Sequence, residues 1–462
     1  MSNGAERMRR ELMIRMVREF RQGTLRDNID RLPTQIRPRN NVSTRCCIYH
    51  DRAVIKYRLM ALLGFDCKDE TDETMSLSEY LDRAMTSYKR PEMPLTVCAA
   101  GCDGCPESRI NITTNCRGCF ARPCVFSCPR NAITVEDQHA RVDYSKCIKC
   151  GKCLEVCPFH AIIKTTVPCE DACPVDAIRK NEFGVAEIDD AKCIMCGKCF
   201  RACPFSAVME RSELLHVLQE LADGRKLVAL VAPSAQFQFP GGVERLFSAI
   251  SAAGFDDVIE VALGAEMTTE NEAREFIERM EKGERLMTTS CCTSYVEMVK
   301  RHVPQLSGCV SDTPSPMRYA GAIARKTHPD ALTVFIGPCI AKRYEAFHAE
   351  NIDMVMNFEE LGALLAGYGI DIMSQEPWPI PRPAIATARN FAKSCGVTEA
   401  VLKELLGEDG KIKLDSKFIN GIDRKSAKLL ALYAAGKLPG NFLEVMSCTG
   451  GCVGGPGSLI EK

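Results

Sequence analysis

Residues 147–158 read CIKCGKCLEVCP and residues 193–204 read CIMCGKCFRACP, the same C-x2-C-x2-C-x3-C-P spacing twice over. The element Cys-Pro-x2-Ala-Ile/Val occurs four times, at Cys128, Cys157, Cys173 and Cys203, with separations of 29, 16 and 30 residues. A period of 45 to 46 residues thus contains two units, which predicts a tandem duplication of a two-unit module. Seventeen of the 27 cysteines lie between Cys98 and Cys203. So many thiols in a reducing cytoplasm are poor candidates for disulfides, which leaves metal ligation as the explanation to test.

The spacing is that of bacterial ferredoxins, in which three thiolates two residues apart wrap one face of a [4Fe–4S] cubane and the fourth, turned away at the proline, reaches the neighbouring cluster. A structural zinc site needs four ligands and not this nesting. Crossing the fourth ligands predicts one cluster on Cys116, Cys119, Cys124 and Cys157 and a second on Cys147, Cys150, Cys153 and Cys128. A third falls on Cys193, Cys196, Cys199 and Cys173. Cys169 and Cys203 are two ligands short. The missing pair is expected near Ala161 and Lys164, where there is no cysteine, while Cys98, Cys102 and Cys105 stand unused upstream. Cys102-x2-Cys105 has the better spacing, with Cys98 spare or an alternative. Three to four accessory [4Fe–4S] clusters follow, a one-electron wire that implies something reactive at its end.

The 462 residues suggest roughly three domains. Residues 1–95 form a helical N-terminal segment with two amphipathic stretches, MRRELMIRMVREFRQ and AVIKYRLMALLGF (53–65), expected to pack on a neighbouring domain. Residues 96–212 form the tandem ferredoxin-like α+β domain. Residues 213–462 read as an α/β domain, with short buried strands LVALVAP (227–233) and LTVFIGP (332–338) each ending at a proline. Net charge is −1, which gives no electrostatic case for nucleic acid. No run approaches the roughly 18 apolar residues of a spanning helix, and no secretory signal is visible, so a cytoplasmic protein without a membrane span is expected.

Three further cysteine motifs lie far apart in the α/β region: TTSCCTSY from Thr288, IGPCIAKRYE from Ile336 and EVMSCTGGCVGGPG from Glu444. In order and separation they resemble the three signatures of the [FeFe]-hydrogenases, the iron hydrogenase large-subunit family. With the ferredoxin repeats, the resemblance covers roughly residues 98 to 462. It implies a two-lobed catalytic domain with an H-cluster between the lobes, a cubane joined to a diiron subsite bearing carbon monoxide, cyanide and azadithiolate. By that resemblance Cys292, Cys339, Cys448 and Cys452 hold the cubane, with Cys452 bridging to the diiron subsite. Lys342 matches the lysine that donates to one cyanide, and Pro233 and Ser234 match the positions facing the other. Pro338 and Met446 belong to the cofactor wall, where a soft, apolar methionine suits bound carbon monoxide. The glycines at 450, 451, 454 and 455 permit close backbone approach.

Cys291 precedes a ligand, and the resemblance makes it the proton relay, a task for which an ordinary thiol pKa near 8.5 is suited. The family's proton path continues onto Glu272, Ser311 and Glu275; the two glutamates are three apart on one helical face. Gly337 stands where methionine is usual, and Thr293, Ser294 and Tyr295 replace the usual residues after the paired cysteines. These departures resemble the group B branch. The implied activity is interconversion of H2 with protons and electrons, with a ferredoxin or flavodoxin as electron partner, since no Gly-x-Gly-x-x-Gly site follows a strand. Maturation proteins would supply the diiron subsite. Two other readings are an iron–sulfur assembly or scaffold protein, which has no use for Lys342, Cys291 or Met446, and a hydrogen sensor, for which no output segment is visible. Cys46, Cys47, Cys67, Cys309 and Cys395 lack partners at ligand spacing and are expected to be buried free thiols.

Overall fold

The computed structural model describes residues 3–87, 89–102, 104–406 and 413–459. Seven short strands organise the C-terminal half: β1 (Leu227–Val231), β2 (Asp257–Glu260), β3 (Met287–Thr288), β4 (Leu332–Ile336), β5 (Met354–Met356), β6 (Ser416–Asn420) and β7 (Phe442–Met446). β1, β5 and β7 are buried along their whole length, as a parallel sheet covered on both faces requires. One sheet runs β2-β1-β4-β5 and the other β3-β7-β6, with every ladder parallel.

Parallel pairing has a consequence for function. All carboxyl ends of a sheet lie on one edge, where loops can build a site. Ala232 donates its amide to Ile336 O at 2.9 Å, so the prolines ending β1 and β4 leave side by side. In the other sheet Cys291 and Cys292 follow β3, and Cys448 follows β7. The long helix Val261–Glu281 lies against the helix Pro316–Thr327, close enough that a Cβ on Gly264 would stand 2.1 Å from Pro316 O.

The first N-terminal stretch forms the helix Gly4–Arg21, begun by an Asn3–Glu6 capping box. Its Leu12, Met13, Met16 and Val17 join the core that contains β1 and β4. Arg9 and Arg10 both donate to Glu359 on the helix Phe358–Tyr368, at 2.7 and 3.0 Å. The second stretch departs from expectation. The helix runs Ile48–Leu62 and is apolar on more than one face. Ile55, Leu59 and Met60 enter the α/β core, while Val54 and Ala61 pack with Cys98 and Met209 of the cysteine-rich region. A helix wedged between two bodies does not carry a single stripe.

The cysteine-rich region corrects the tandem arrangement. One module closes with Arg109–Ile112 paired to Ile162–Thr165 around the hairpin Ile133–Glu136/His139–Val142. The other closes with Leu95–Val97 paired to Val208–Glu210 around the hairpin Ile178–Lys180/Ala186–Ile188. The strand opening the second module thus precedes the entire first module, which is inserted into it. Nesting also carries Cys102 and Cys105 into the outer module's sequence.

Arg343 ties these parts together. It is 1% exposed, and its guanidinium donates to Glu210 (2.5 Å), Glu213 (3.1 Å) and Glu360 (2.5 Å), on the last strand of the outer module, the connecting segment and the helix Phe358–Tyr368. Removing it leaves the buried carboxylates of Glu210 and Glu360 without their cation, and Glu213 with Arg90 at 2.9 Å. Arg343→Met is expected to destabilise the holoprotein by about 3–5 kcal/mol in anaerobic urea denaturation, and Arg343→Lys to rescue little, because an ammonium cannot serve three carboxylates in a plane.

Candidate active site and metal centres

Between the carboxyl edges of the two sheets lies a cavity of about 870 Å³. Cys292, Cys339, Cys448 and Cys452 line it together with Cys291, Lys342, Pro233, Ser234, Pro338 and Met446, so every residue assigned by resemblance to the H-cluster and its wall meets in one place. Phe335, Phe391, Val261 and Ala265 make the remainder of the wall largely apolar. Burial pushes the Cys339 thiol up to about 12 and that of Cys452 to about 11. Thiols so placed ionise only with a cation bound, and binding it releases their protons. Two buried hydroxyls on the lining, those of Ser234 and Ser447, have no hydrogen-bond partner. Ser447 was not singled out by its sequence motif. Gly451 and Gly455 are indeed sites of close approach, but to protein backbone: a Cβ would stand 2.5 Å from Ala392 O and 2.7 Å from Pro338 O.

Lys342 is held by a carboxylate the sequence reading did not assign. Its Nζ donates to Glu345 Oε2 at 2.5 Å and to Cys291 O at 3.2 Å. Thr293 and Ser315 donate their hydroxyls to the same Glu345. Burial opposes both charges, but each partner outweighs it: the Lys342 ammonium stands above its usual range and the Glu345 carboxyl below. The signal was present as a glutamate three residues after the lysine on a helix. Thr293, at a departure from the family pattern, supplies one of the three donors.

On the other side of Cys291, Glu272, Ser311 and Glu275 are joined in one hydrogen-bonded group by Ser290 and Thr313. Glu272 is fully buried, with one carboxyl oxygen lacking a partner and the other accepting the Ser290 amide at 3.2 Å. Burial raises it to about 8. The Ser290 hydroxyl donates to Thr313 O at 2.6 Å, and Thr313 and Ser311 donate to Glu275 at 2.9 and 2.6 Å. Glu275 meets Arg279 at 2.7 Å and is 17% exposed, so the chain reaches solvent. Ser290 and Thr313 bridge what Glu272 and Ser311 do not span directly. The expectation of an ordinary thiol at Cys291 is corrected: burial, with the Glu272 carboxyl next, pushes it well above the usual range, so it holds its proton.

Among the described residues no three His, Cys, Asp or Glu side chains close on a point suited to a single metal ion. The cysteines ring cavities instead, as multi-atom clusters require. One cavity of about 330 Å³ is lined by Cys116, Cys119, Cys124 and Cys157, and one of about 340 Å³ by Cys128, Cys147, Cys150 and Cys153, the two crossed sets read from the sequence. At each Cys-Pro-x2-Ala element the alanine amide donates to the cysteine sulfur: Ala132 to Cys128, Ala161 to Cys157, Ala177 to Cys173 and Ala207 to Cys203, at 3.2 to 3.4 Å. The residue before each of these alanines is left-handed, with φ of 47 to 52°.

The same backbone geometry recurs at Cys102 and Cys105. Gly118, Lys149 and Met195 are left-handed just before the second cysteine of their C-x2-C runs, and Gly104 is left-handed before Cys105. Ala140, in one hairpin, donates to Cys116; Ala186, in the equivalent hairpin, donates to Cys102 at 3.2 Å. Cys102 and Cys105 share a core with Cys169 and Cys203. Cys98 lies apart, buried with Cys67, Val54 and Met209. Arg45 and Arg58 from the N-terminal segment both donate to Phe205 O, on the Cys203 turn, at 3.3 and 2.9 Å. Contrary to expectation, Cys46 and Cys47 are exposed.

Residues 225–456 match the family described as iron only hydrogenase large subunit, C-terminal domain. The chain belongs to the iron-only hydrogenase large-subunit family. Residues 140–163 match a 4Fe-4S binding domain, and residues 163–214 the iron–sulfur cluster-binding domain named for LdpA. Iron hydrogenase 1 of Clostridium pasteurianum is 26% identical, covering 71% of this chain and 67% of that protein. The periplasmic [Fe] hydrogenase large subunit of Nitratidesulfovibrio vulgaris is 28% identical, covering 69% and 86%. A probable cytosolic Fe-S cluster assembly factor of Aedes aegypti is 23% identical, covering 46% and 55%.

In this iron-only hydrogenase homologue the module geometry separates Cys102 and Cys105 from Cys98. Cys102→Ser and Cys105→Ser are each expected to lower the iron content of the purified protein by about four ions, one cubane, and Cys98→Ser to leave it unchanged.

Proposed function

We propose that this chain interconverts H2 with two protons and two electrons at an H-cluster held in the cavity between the sheets. The observation that carries the reading is the meeting of Cys291, Lys342 and the four cysteines Cys292, Cys339, Cys448 and Cys452 in one apolar-walled cavity. The lining suits an anionic, cyanide-bearing group: four cysteines able to ligate metal, a buried ammonium, and the unpartnered hydroxyls of Ser234 and Ser447. Bound there, the group supplies the site at which H2 is split or formed.

The chain's own residues do the rest. Glu345, itself held by Thr293 and Ser315, keeps Lys342 charged and aimed at the cavity. The apolar wall excludes water and strengthens each polar contact inside. Cys291 and Glu272 are both neutral at pH 7 and feel each other electrostatically in the low-dielectric interior, so a proton handed outward by one is replaced by the other without a standing buried charge. Ser290, Thr313 and Ser311 carry the path to Glu275 and solvent. Electrons enter or leave through the ring of Cys193, Cys196, Cys199 and Cys173. Cys196 also lines the active cavity, and Gly197 abuts Ile340 and Pro456 so closely that a Cβ would stand 2.7 Å from Pro456.

The reading includes three to four accessory [4Fe–4S] clusters, a ferredoxin or flavodoxin partner, maturation proteins that deliver the diiron subsite, and a cytoplasmic setting in which the thiols stay reduced. Among the described residues no helix is long and apolar enough to cross a membrane. The likeness to the mosquito assembly factor supports a second reading, a scaffold that binds cubanes alone; the Lys342–Glu345 pair and the Cys291–Glu272 path have no task in it.

Infrared spectroscopy of the matured protein is expected to show cyanide and carbonyl bands; their absence after maturation selects the scaffold. Cys291→Ala is expected to keep the bands and lose about 10²-fold or more in turnover, the contribution of a positioned acid–base group. Glu272 is neutral below its raised value and ionises above it. H2 evolution should therefore fall as pH rises through about 8, and Glu272→Gln should remove that inflection. The same shift works against stability: the carboxyl is raised above its unfolded value of 4.5, so its contribution is lost as pH climbs through about 8.

A further inference from the structure

The inserted module, residues 109–165, has a surface unlike the rest of the chain. Twenty large apolar side chains are exposed among the described residues, and eight of them lie in these 57 residues. Three of the eight, all phenylalanines, flank one ring of cysteines. Phe120, fully exposed, follows Cys119; Phe126, 83% exposed, ends the short helix that carries Cys124; Phe159 lines the cavity that Cys116, Cys119, Cys124 and Cys157 surround. Between Cys119 and Cys124 the chain has four residues where the other runs have two, and the extra length carries Phe120 and Arg122. Arg122 is left-handed and Pro123 opens the helix behind it, so the loop is set rather than slack.

This ring is also the outermost. The core of the second module includes Cys173, Cys193, Ile340 and Cys339, next to the active cavity. The inserted module has its own separate core. It meets the second module through Ile148 and Lys149, between Cys147 and Cys150, which share a cleft with Glu170, Asp171 and Asp176. The ring on Cys128, Cys147, Cys150 and Cys153 therefore faces inward along the chain of centres, and the ring beside Phe120 and Phe126 faces out.

The face is basic as well as apolar. Residues 109–165 hold nine Lys and Arg against four Asp and Glu, in a chain whose net charge is −1. Two of the four acids, Glu136 and Asp143, are already engaged by Arg141 and Lys146. Arg117, which lines the outer ring's cavity, and Arg122 are exposed and join no ion pair among the described residues. A cluster of aromatic rings with a basic rim is the surface that an acidic partner fits: charge steers the encounter, and the rings exclude water once contact is made.

We propose that Phe120, Phe126 and Arg122 form the docking face for a small acidic one-electron carrier protein of the ferredoxin type. Each encounter passes one electron, so two reduced carriers are oxidised for every pair of protons converted to H2, and two oxidised carriers are reduced when H2 is consumed. The use made of those electrons rests on the hydrogenase reading; the docking does not.

The test compares two electron donors on the matured holoenzyme, an acidic bacterial 2[4Fe–4S] ferredoxin and methyl viologen, a small dye that needs no docking face. Phe120→Ser combined with Phe126→Ser, and separately Arg122→Glu, are expected to lower ferredoxin-driven kcat/KM about 10-fold or more while viologen-driven H2 evolution and iron content stay within about twofold of the wild type. Added salt should weaken the wild type's use of ferredoxin more than that of Arg122→Glu. Equal losses with both donors, or no loss with ferredoxin, overturn the proposal. Calorimetric titration of the same ferredoxin into the holoprotein reads docking without turnover. Binding that the variants abolish, in a chain inactive with viologen, counts against the hydrogenase reading and for this face; no binding by the wild type counts against the face.

Discussion

The structure depends on keeping thiols out of water at the meeting edge of two parallel sheets. A buried thiol cannot ionise unaided, so a cavity ringed by such groups is an unfinished electrostatic arrangement that only a cationic, thiophilic occupant completes. Parallel topology makes the ring possible, because it brings the ends of β1, β4, β3 and β7 to one place from four distant parts of the sequence. The polar exceptions in the cavity are few, and each is either locked, as Lys342 is by Glu345, or left with an open valence toward the cavity, as Ser234 and Ser447 are. In the proposed reading, preorganisation of this kind lets the site act on a small, uncharged gas, which offers the protein nothing to grip.

The same economy governs the proton side. Cys291 and Glu272 are shifted in the same direction by the same cause, burial, so neither carries a lasting charge. Only at Glu275, where Arg279 and solvent are at hand, does the path meet a carboxylate held below its usual range. The gradient from neutral to ionised groups follows the gradient from interior to surface.

Much of this was legible in the sequence because ligand spacing is local. Runs such as Cys147 to Cys157 bring their thiols together by backbone geometry, so the two crossed sets of the inserted module could be written down from arithmetic and are found around their cavities. The buried runs at 227–233 and 332–338 became neighbouring strands for a similarly local reason. What could not be read depends on distant pairing. Leu95–Val97 pairs with Val208–Glu210 across the whole inserted module, and no local pattern announces it; once it is seen, Cys102 and Cys105 take their place beside Cys169 and Cys203. Ser447, Ser290 and Thr313 are common residues whose roles come only from what surrounds them. The helix Ile48–Leu62 is two-sided, against the amphipathic pattern expected of it, because its two partners lie far away in sequence.

The central claim, that the cavity splits H2 into a proton and its electron pair with Cys291 and Glu272 moving the proton, is tested most directly by isotope exchange. The matured protein, with no electron donor or acceptor present, is placed under D2 in H2O and the gas phase is followed by mass spectrometry. The account predicts formation of HD and then H2, because heterolysis and proton exchange through the path need no partner protein. A protein that carries its full complement of iron, cyanide and carbonyl and yet leaves D2 unexchanged contradicts it.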